Sequence, residues 1–428
     1  MRACYKTNVF NTDSLCSGGV VLAKALEKQA ILLLVVQALY GFSSALSGTF
    51  VPVYLWKSSG SYMIIGWFTF AQYALGGLTF WLAGKWVKEH NKMHSLRAGI
   101  ALSGIFYCVV LLLGEGAKDW AVLLGLLSGI AMGLFWLAFN VVYFEVTDPD
   151  TRNRYNGWAG LLGSAAGIVA PWLSGFIITS MQGERGYRVI FMLSLAIFGL
   201  GVVLSFWLKK RHGEGRYEWT LGLRQLKEKG NPWRRLFPAI AAQGVREGVF
   251  MFLVGLTVYI ATRNESKLGL YSLITSLVAL ISFGAAGKWM GKLRLIWSML
   301  AGVLMIGVVI VPLFWGVSYS TLLVFGIGTA LFLPLYMIPM TTKVFDVIGR
   351  NQESAAHREE YIVLREMALT TGRLIGLTAY LIVIPNNHSP KAITWLMLAV
   401  GLVPIAGWWW MRSFLQQGDT RRQPAADR

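Results

Sequence analysis

Arg246, Glu247, Arg365, Glu366 and Arg373 are residues of this 428-residue chain whose type and position can do chemistry, because all five lie within otherwise apolar stretches. A charged side chain at the centre of a bilayer costs at least ~2.5–3.5 kcal/mol, so such groups face a cavity or a partner. Arg246 and Glu247 lie about ten residues into an apolar stretch that starts at Leu236, which at ~1.5 Å per helical residue is close to mid-depth. Glu366, Thr370 and Arg373 follow helical spacing and share one face. Counting back from Pro385 puts Arg373 near the depth of Glu247, with Arg365 and Glu366 closer to the start of their stretch. Matched depth and opposite sign pair Glu247 with Arg373 or Arg246 and leave Glu366 to balance Arg365. A carboxylate in such a cluster can exchange its cation partner for a proton as its surroundings change, the minimal machinery for proton coupling. Two other readings stay open: the charges lock two helices together, or the arginines hold an anion directly.

The elements that must position these residues are set by composition. The chain is 55% hydrophobic and 14% charged, against roughly a quarter charged in a soluble domain. Lipid is the expected solvent. A helix needs about 20 mostly apolar residues to cross the hydrocarbon. Twelve stretches qualify: Ala30 to Trp56, Tyr62 to Ala83, Leu96 to Leu113, Trp120 to Glu145, Tyr155 to Met181, Tyr187 to Leu208, Leu236 to Ala261, Leu268 to Ala286, Leu295 to Trp315, Thr321 to Val344, Ile362 to Ile384 and Ala392 to Leu415. Their length excludes barrel strands, which alternate over about ten residues. The expectation is an all-α integral membrane protein of twelve transmembrane helices.

The net charge of +18 does not mark a nucleic-acid binder, because the basic residues occupy short segments between apolar stretches. With the N-terminus placed inside, 29 of the 39 Lys and Arg fall on the inner side and 7 on the outer, the asymmetry expected of a bacterial cell-membrane protein with both termini cytoplasmic. Residues 209–235 form the one long polar interruption, between six-helix halves at 29–208 and 236–415, with tails at 1–28 and 416–428. Within it, Trp219, Leu223 and Leu226 share a helical face among basic residues, which fits a solvated linker and a helix on the anionic inner leaflet equally. The first twenty or so residues lack a signal-peptide core, and an over-extended reading frame is favoured over a polar tail.

Enzyme chemistry finds no purchase. Cys4, Cys16 and Cys108 make neither a disulfide framework nor metal-ligand spacing, and Cys108 reads as packing. His90, His94, His212, His357 and His388 fall in predicted loops. No G-x-x-x-x-G-K-[ST] loop is present, which excludes ATP drive within the chain. No cofactor or metal is expected.

The halves repeat. Phe80 to Trp86 and Phe283 to Trp289 both read F-x-x-A-G-K-W, 203 residues apart, after the second and eighth stretches. Gln37 matches Gln243, and Val53-Tyr54 matches Val258-Tyr259, at nearly the same offset. With twelve helices, a basic middle loop and this parallel repeat, the chain resembles the major facilitator superfamily. The repeated motif stands where that family has its loop signature, and Lys85, Lys88, Lys288 and Lys292 keep its basic character. Phe80 and Gly84, and Phe283 and Gly287, replace the family's Gly and Asp, so the acidic partner of its cytoplasmic charge latch is missing from these loops. Gly167, Pro171 and Gly175 look like the helix-five signature of bacterial drug/proton antiporters, with Ala170 where that signature has Gly. Ordinary small-residue packing explains the same residues equally well.

The resemblance implies two pseudo-symmetric bundles around a midplane cavity lined by helices one, four, seven and ten. Gln37, Tyr40, Ser44 and Ser47 form one stripe on the first helix; Trp136, Asn140 and Tyr143 lie on the fourth, with Glu145 near its inner end. Gln37, Tyr40, Trp136, Asn140, Glu145 and Gln243 are the expected cavity-lining residues, whereas Ser44 and Ser47 read as packing. Pro334 and Pro339 in the tenth helix fit a moving gate or a static kink. The implied function is a monomeric, proton-coupled secondary transporter in a lipid bilayer, with export of a small or amphiphilic molecule favoured. Import or flipping of an anionic or lipid-like substrate is the second reading, and a non-transporting scaffold or sensor the third.

Overall fold

The structure, a computed structural model, describes residues 26–147, 149–181, 184–210, 215–289, 295–348, 357–385 and 390–420. Twelve apolar spans follow one another: α1 (Lys28–Ser59), α2 (Tyr62–Glu89), α3 (Lys92–Lys118), α4 (Ala121–Val146), α5 (Arg154–Ser180), α6 (Arg185–Ser205), α7 (Trp233–Thr262), α8 (Glu265–Gly287), α9 (Leu295–Phe314), α10 (Tyr319–Ile348), α11 (Arg358–Val383) and α12 (Lys391–Gln416). In lipid every backbone N–H and C=O must be satisfied internally, and a helix does so within one segment. The span ends reach several residues past the apolar runs, because amphipathic Lys and Glu at α2 and α11 continue the ladder into polar surroundings. Four spans are interrupted, α3 by a 3-10 turn at Gly114–Lys118 that follows its α-helix. The α1 helix stops at Gly48 and resumes at Val51 with Pro52 in its first turn. The α9 helix ends in a 3-10 turn at Val311–Phe314 that contains Pro312, and α12 is interrupted just before Pro404. Pro334 and Pro339 lie inside one continuous helix of α10.

Helix neighbours obey a single rule. In the first half α1 packs on α5 and α6, α4 on α2 and α3, and α3 on α6. Adding six to each number reproduces the main packing of the second half: α7 on α11 and α12, α10 on α8 and α9, and α9 on α12. The two extensive seams between halves, α2 with α11 and α5 with α8, exchange under the same operation. These are two pseudo-symmetric six-helix bundles. Large apolar side chains such as Leu112, Ile281 and Trp395 cover the outside, as a lipid-facing surface requires.

Glycine sets the closest approach. Gly244 and Gly248 on α7 face Gly372 and Gly376 on α11, a G-x-x-x-G on each helix. A methyl group on Gly248 would stand 2.7 Å from the Arg373 Cα, and one on Gly372 would collide with the Ala241 carbonyl oxygen. The backbones therefore touch, and residue 373 sits directly against the α7 turn that carries residue 247.

The linker folds back on the bundle. A short helix, Leu221–Lys227, buries Leu221 in the core of the second half while Leu223 stays exposed. Tyr217 packs on Gly84, where a Cβ would meet its hydroxyl at 2.8 Å, and Trp219 meets Trp81 at 4.9 Å between centroids. The Gly of the first F-x-x-A-G-K-W is thus a seat for a linker tyrosine. Its counterpart Gly287 has nothing within 4 Å among the described residues. Lys292 and the side chain of Lys288 lie outside the described residues.

Candidate functional site

Among the described residues, two cavities adjoin where the halves meet. One, about 430 Å³, is lined from α1 to α4, α6 and α7, with Tyr40, Ser44, Gln72, Tyr73 and Trp136 among its walls. The other, about 620 Å³, is lined by α1, α5, α7, α8 and α10, including Gln243, Arg246 and Glu247. Ala45, Thr49 and Met251 border both, so the two adjoin.

Arg373 lines neither cavity but touches a wall of each, Tyr73 of the smaller and Glu247 of the larger. Its Nη2 donates to Glu247 Oε1 and its Nη1 to Glu366 Oε1, each at 2.6 Å, and its guanidinium lies 4.9 Å from the centre of the Tyr73 ring. The α7–α11 pairing expected from depth is formed. The expected Glu366–Arg365 pair is not: seven residues along a helix return to the same face, whereas successive residues diverge by about 100°. Arg365 instead lies 5.6 Å from the centre of the Phe345 ring. Arg246 stands 4.6 Å over Phe250, and its buried Nε has no hydrogen-bond partner among the described residues.

The expected cavity residues divide. Tyr40, Trp136 and Gln243 line the cavities, as does Ser44, which had been read as packing. Gln37, Asn140 and Glu145 do not line either. Gln37 accepts a hydrogen bond from the Tyr155 hydroxyl at 3.1 Å, and Glu145 pairs with Lys92 at the end of the bundle that carries the linker. Ser47 bonds Ser194 at 2.6 Å, within the first half. Gly175 and Gly269 bring α5 against α8, and Ser276 donates to the Gly167 carbonyl at 3.2 Å. Gly167 and Pro171 also line the larger cavity.

Charged bridges join the halves at both ends. On the linker side Lys88 and Glu360 pair at 2.6 Å with both side chains almost fully buried, and Lys92 reaches Glu359 at 3.6 Å. The linker joins this latch: the Glu218 N–H donates to Glu360, and the Tyr217 N–H to Glu89, both at 3.1 Å. Burial pushes the Tyr217 phenol up, and Glu360 and Glu359 push the same way. His357, read as a loop histidine, abuts Glu360 at 3.7 Å, and His94 lies in the first turn of α3. The acid missing from the α2–α3 loop is supplied by the first turn of α11. On the far side Lys57 meets Glu265 at 3.0 Å, and the Tyr187 hydroxyl donates to Glu265 at 2.9 Å. Lys85, by contrast, is exposed and among the described residues reaches only Glu89.

Breaking the latch has a stated cost. Lys88→Met strands Glu360, and loss of one partner from a buried pair costs about 3–5 kcal/mol. A lowered melting temperature is expected, with partial recovery in Lys88→Met/Glu360→Gln. Equal melting of the single and double variants would remove the latch.

Residues 33–356 match the family model described as Major Facilitator Superfamily. The chain belongs to that superfamily. This Major Facilitator chain is 39% identical over 358 residues to "Uncharacterized protein YqgE" of Bacillus subtilis (strain 168), covering 84% of its own length and 83% of the relative's. It is 35% identical over 189 residues to "Uncharacterized protein in sodM 3'region" of Geobacillus stearothermophilus, 44% of this chain and 88% of that one. Among solved structures, a bacterial homologue of iron transporter ferroportin superposes in its inward-facing state with TM-score 0.64 at 16% identity, covering 90% of this chain and 99% of that one. The outward-facing state gives 0.61 at 16% identity, covering 90% and 100%. The Major Facilitator fold is that of a secondary transporter working by alternating access, embedded in a bilayer and carrying a solute.

Proposed function

We propose that this Major Facilitator protein is a proton-coupled carrier moving a small or amphiphilic solute through the central cavity, with its linker side in the bacterial cytoplasm. The observation that carries the reading is one arginine held between two carboxylates, one of which lines the larger cavity. A single carboxylate neutralises Arg373, so the other can take up a proton without leaving an uncompensated charge. Glu247 borders the cavity itself and is the proposed exchanging group, with Glu366 retaining Arg373. The basic asymmetry of the loops, 29 residues against 7, supports the orientation.

Gly167, Pro171 and Gly175 support export only through their resemblance to the antiporter signature, and their packing on α8 accounts for them structurally. The direction of the solute relative to the proton is therefore read from the assay. Metal cargo is not part of the proposal: among the described residues no group of three His, Cys, Asp or Glu converges, and the two central carboxylates are engaged by Arg373.

The test is solute-driven pH change inside liposomes containing the purified protein. Wild type is expected to move protons when a transported solute is added. Glu247→Gln should lower proton movement at least about tenfold while solute exchange between equal pools persists. Full coupling in both Glu247→Gln and Glu366→Gln ends the proposal.

A further inference from the structure

The larger cavity contains an arginine without a bonded countercharge. Glu247 and Glu366 are both bonded to Arg373. Glu247 follows Arg246 directly and so projects about 100° away around the helix. Among the described residues no carboxylate lies within 4.0 Å of Arg246; its contact is the face of Phe250, and its buried Nε is unbonded. Further polar groups of the same lining are idle among the described residues: the buried Thr329 and Tyr336 hydroxyls have no partner, and the Gln243 amide makes no hydrogen bond. The other walls include Val254, Tyr271, Phe325 and Leu333. A volume of about 620 Å³ with apolar walls and a few convergent polar groups has the character of a small-molecule site.

Resting on the carrier reading of that cavity, we infer that its cargo is an amphiphilic monoanion, a carboxylate or phosphodiester head on an apolar body, bound with its head at Arg246 and crossing together with a proton. Arginine matches such a head with two parallel donors and stays charged in a dry site. Charge arithmetic gives the coupling its sign. With both carboxylates ionised, Glu247, Glu366, Arg246 and Arg373 sum to zero. A proton on either carboxylate leaves one net positive charge, which an anion cancels and a cation doubles. The other titratable groups facing the cluster, Tyr73 on α2 and Tyr336 on α10, are phenols without charge at neutral pH. Proton and anion therefore favour each other's binding.

The probes are 1-naphthoate, lysophosphatidylglycerol and 1-naphthyltrimethylammonium, titrated into the full chain in phosphatidylcholine nanodiscs. At least one anion is expected to bind about tenfold or more tightly than the cation. Arg246→Met should weaken anion binding at least about tenfold, and Arg246→Lys should retain most of it. In weakly buffered solution, anion binding to wild type should take up protons. Binding of naphthoate identifies a water-soluble cargo, and binding of the lysolipid alone identifies a lipid one; either supports the assignment. It is overturned by equal or tighter cation binding, by Arg246→Met keeping wild-type anion affinity, by proton release, or by neither anion binding at millimolar concentration. Should Arg246→Met fail to purify as wild type does, Arg246→Gln and the wild-type proton measurement decide. Proton coupling that survives without anion selectivity removes the cargo and leaves the carrier. Anion binding without any solute-driven proton movement removes the carrier.

Discussion

Arg373→Met is expected to be among the most damaging substitutions in the chain. It removes the cation from between Glu247 and Glu366, each bonded to it at 2.6 Å, and leaves two carboxylates facing each other at the centre of the bundle. Stranding one charge of a buried pair costs about 3–5 kcal/mol, and mutual repulsion of the two acids adds to it. The measurement is a thermal melt of purified protein in detergent. The triple variant Glu247→Gln/Glu366→Gln/Arg373→Met carries no stranded charge and should recover most of the lost stability, because replacing an entire buried ionic group is often neutral. It should not recover proton coupling. An Arg373→Met protein that melts like wild type would show that the pairings contribute nothing, and the site would need to be drawn elsewhere.

Gly372→Ala is expected to damage both stability and coupling through the backbone rather than through a charge. The added methyl runs into the Ala241 carbonyl oxygen and stands 2.8 Å from the Val245 nitrogen. Both are backbone atoms of α7, so no rotamer change relieves the clash and the helices must part. Overpacking of this kind costs about 1–3 kcal/mol and occasionally more. The upper end is expected here. Separation also draws Arg373, the next residue, away from Glu247, so proton coupling should fall with stability. Gly163→Ala is the matched control: nothing lies within 4 Å of its would-be Cβ, and alanine favours a helix by ~1 kcal/mol over glycine. Identical melting of the two alanine variants would mean that the α7–α11 contact is looser than described.

Much of this was legible in the sequence, for identifiable reasons. Span count follows from hydrophobic run length, and the repeat from F-x-x-A-G-K-W in both halves. Glu247 and Arg373 could be matched because helical rise converts residue number into depth. Glu366 was assigned to Arg365 by adjacency, although its shared face with Arg373 was already visible. The reciprocal G-x-x-x-G motifs at 244–248 and 372–376 stood in the sequence as the signal for close packing, and would have identified the helix pair directly. Other features could not be read. Lys88 and Glu360 are 272 positions apart, and depth alone does not choose among the many charges on one side of the membrane. Gln37 and Asn140 lie on plausible helices, but whether a polar group meets space or a neighbour depends on side chains from elsewhere, such as Tyr155.

The seat of Tyr217 on Gly84 gives the molecule a handedness that its duplicated architecture lacks. Gene duplication provides two equivalent copies of every helix, but only a single strand joins them, and it lies across the copy that contains Lys88. Among the described residues, the equivalent glycine in the other copy has no occupant. At the first groove, opening toward that side requires a tyrosine to be withdrawn together with the neighbouring Lys88–Glu360 pair; among the described residues Gly287 holds no such plug.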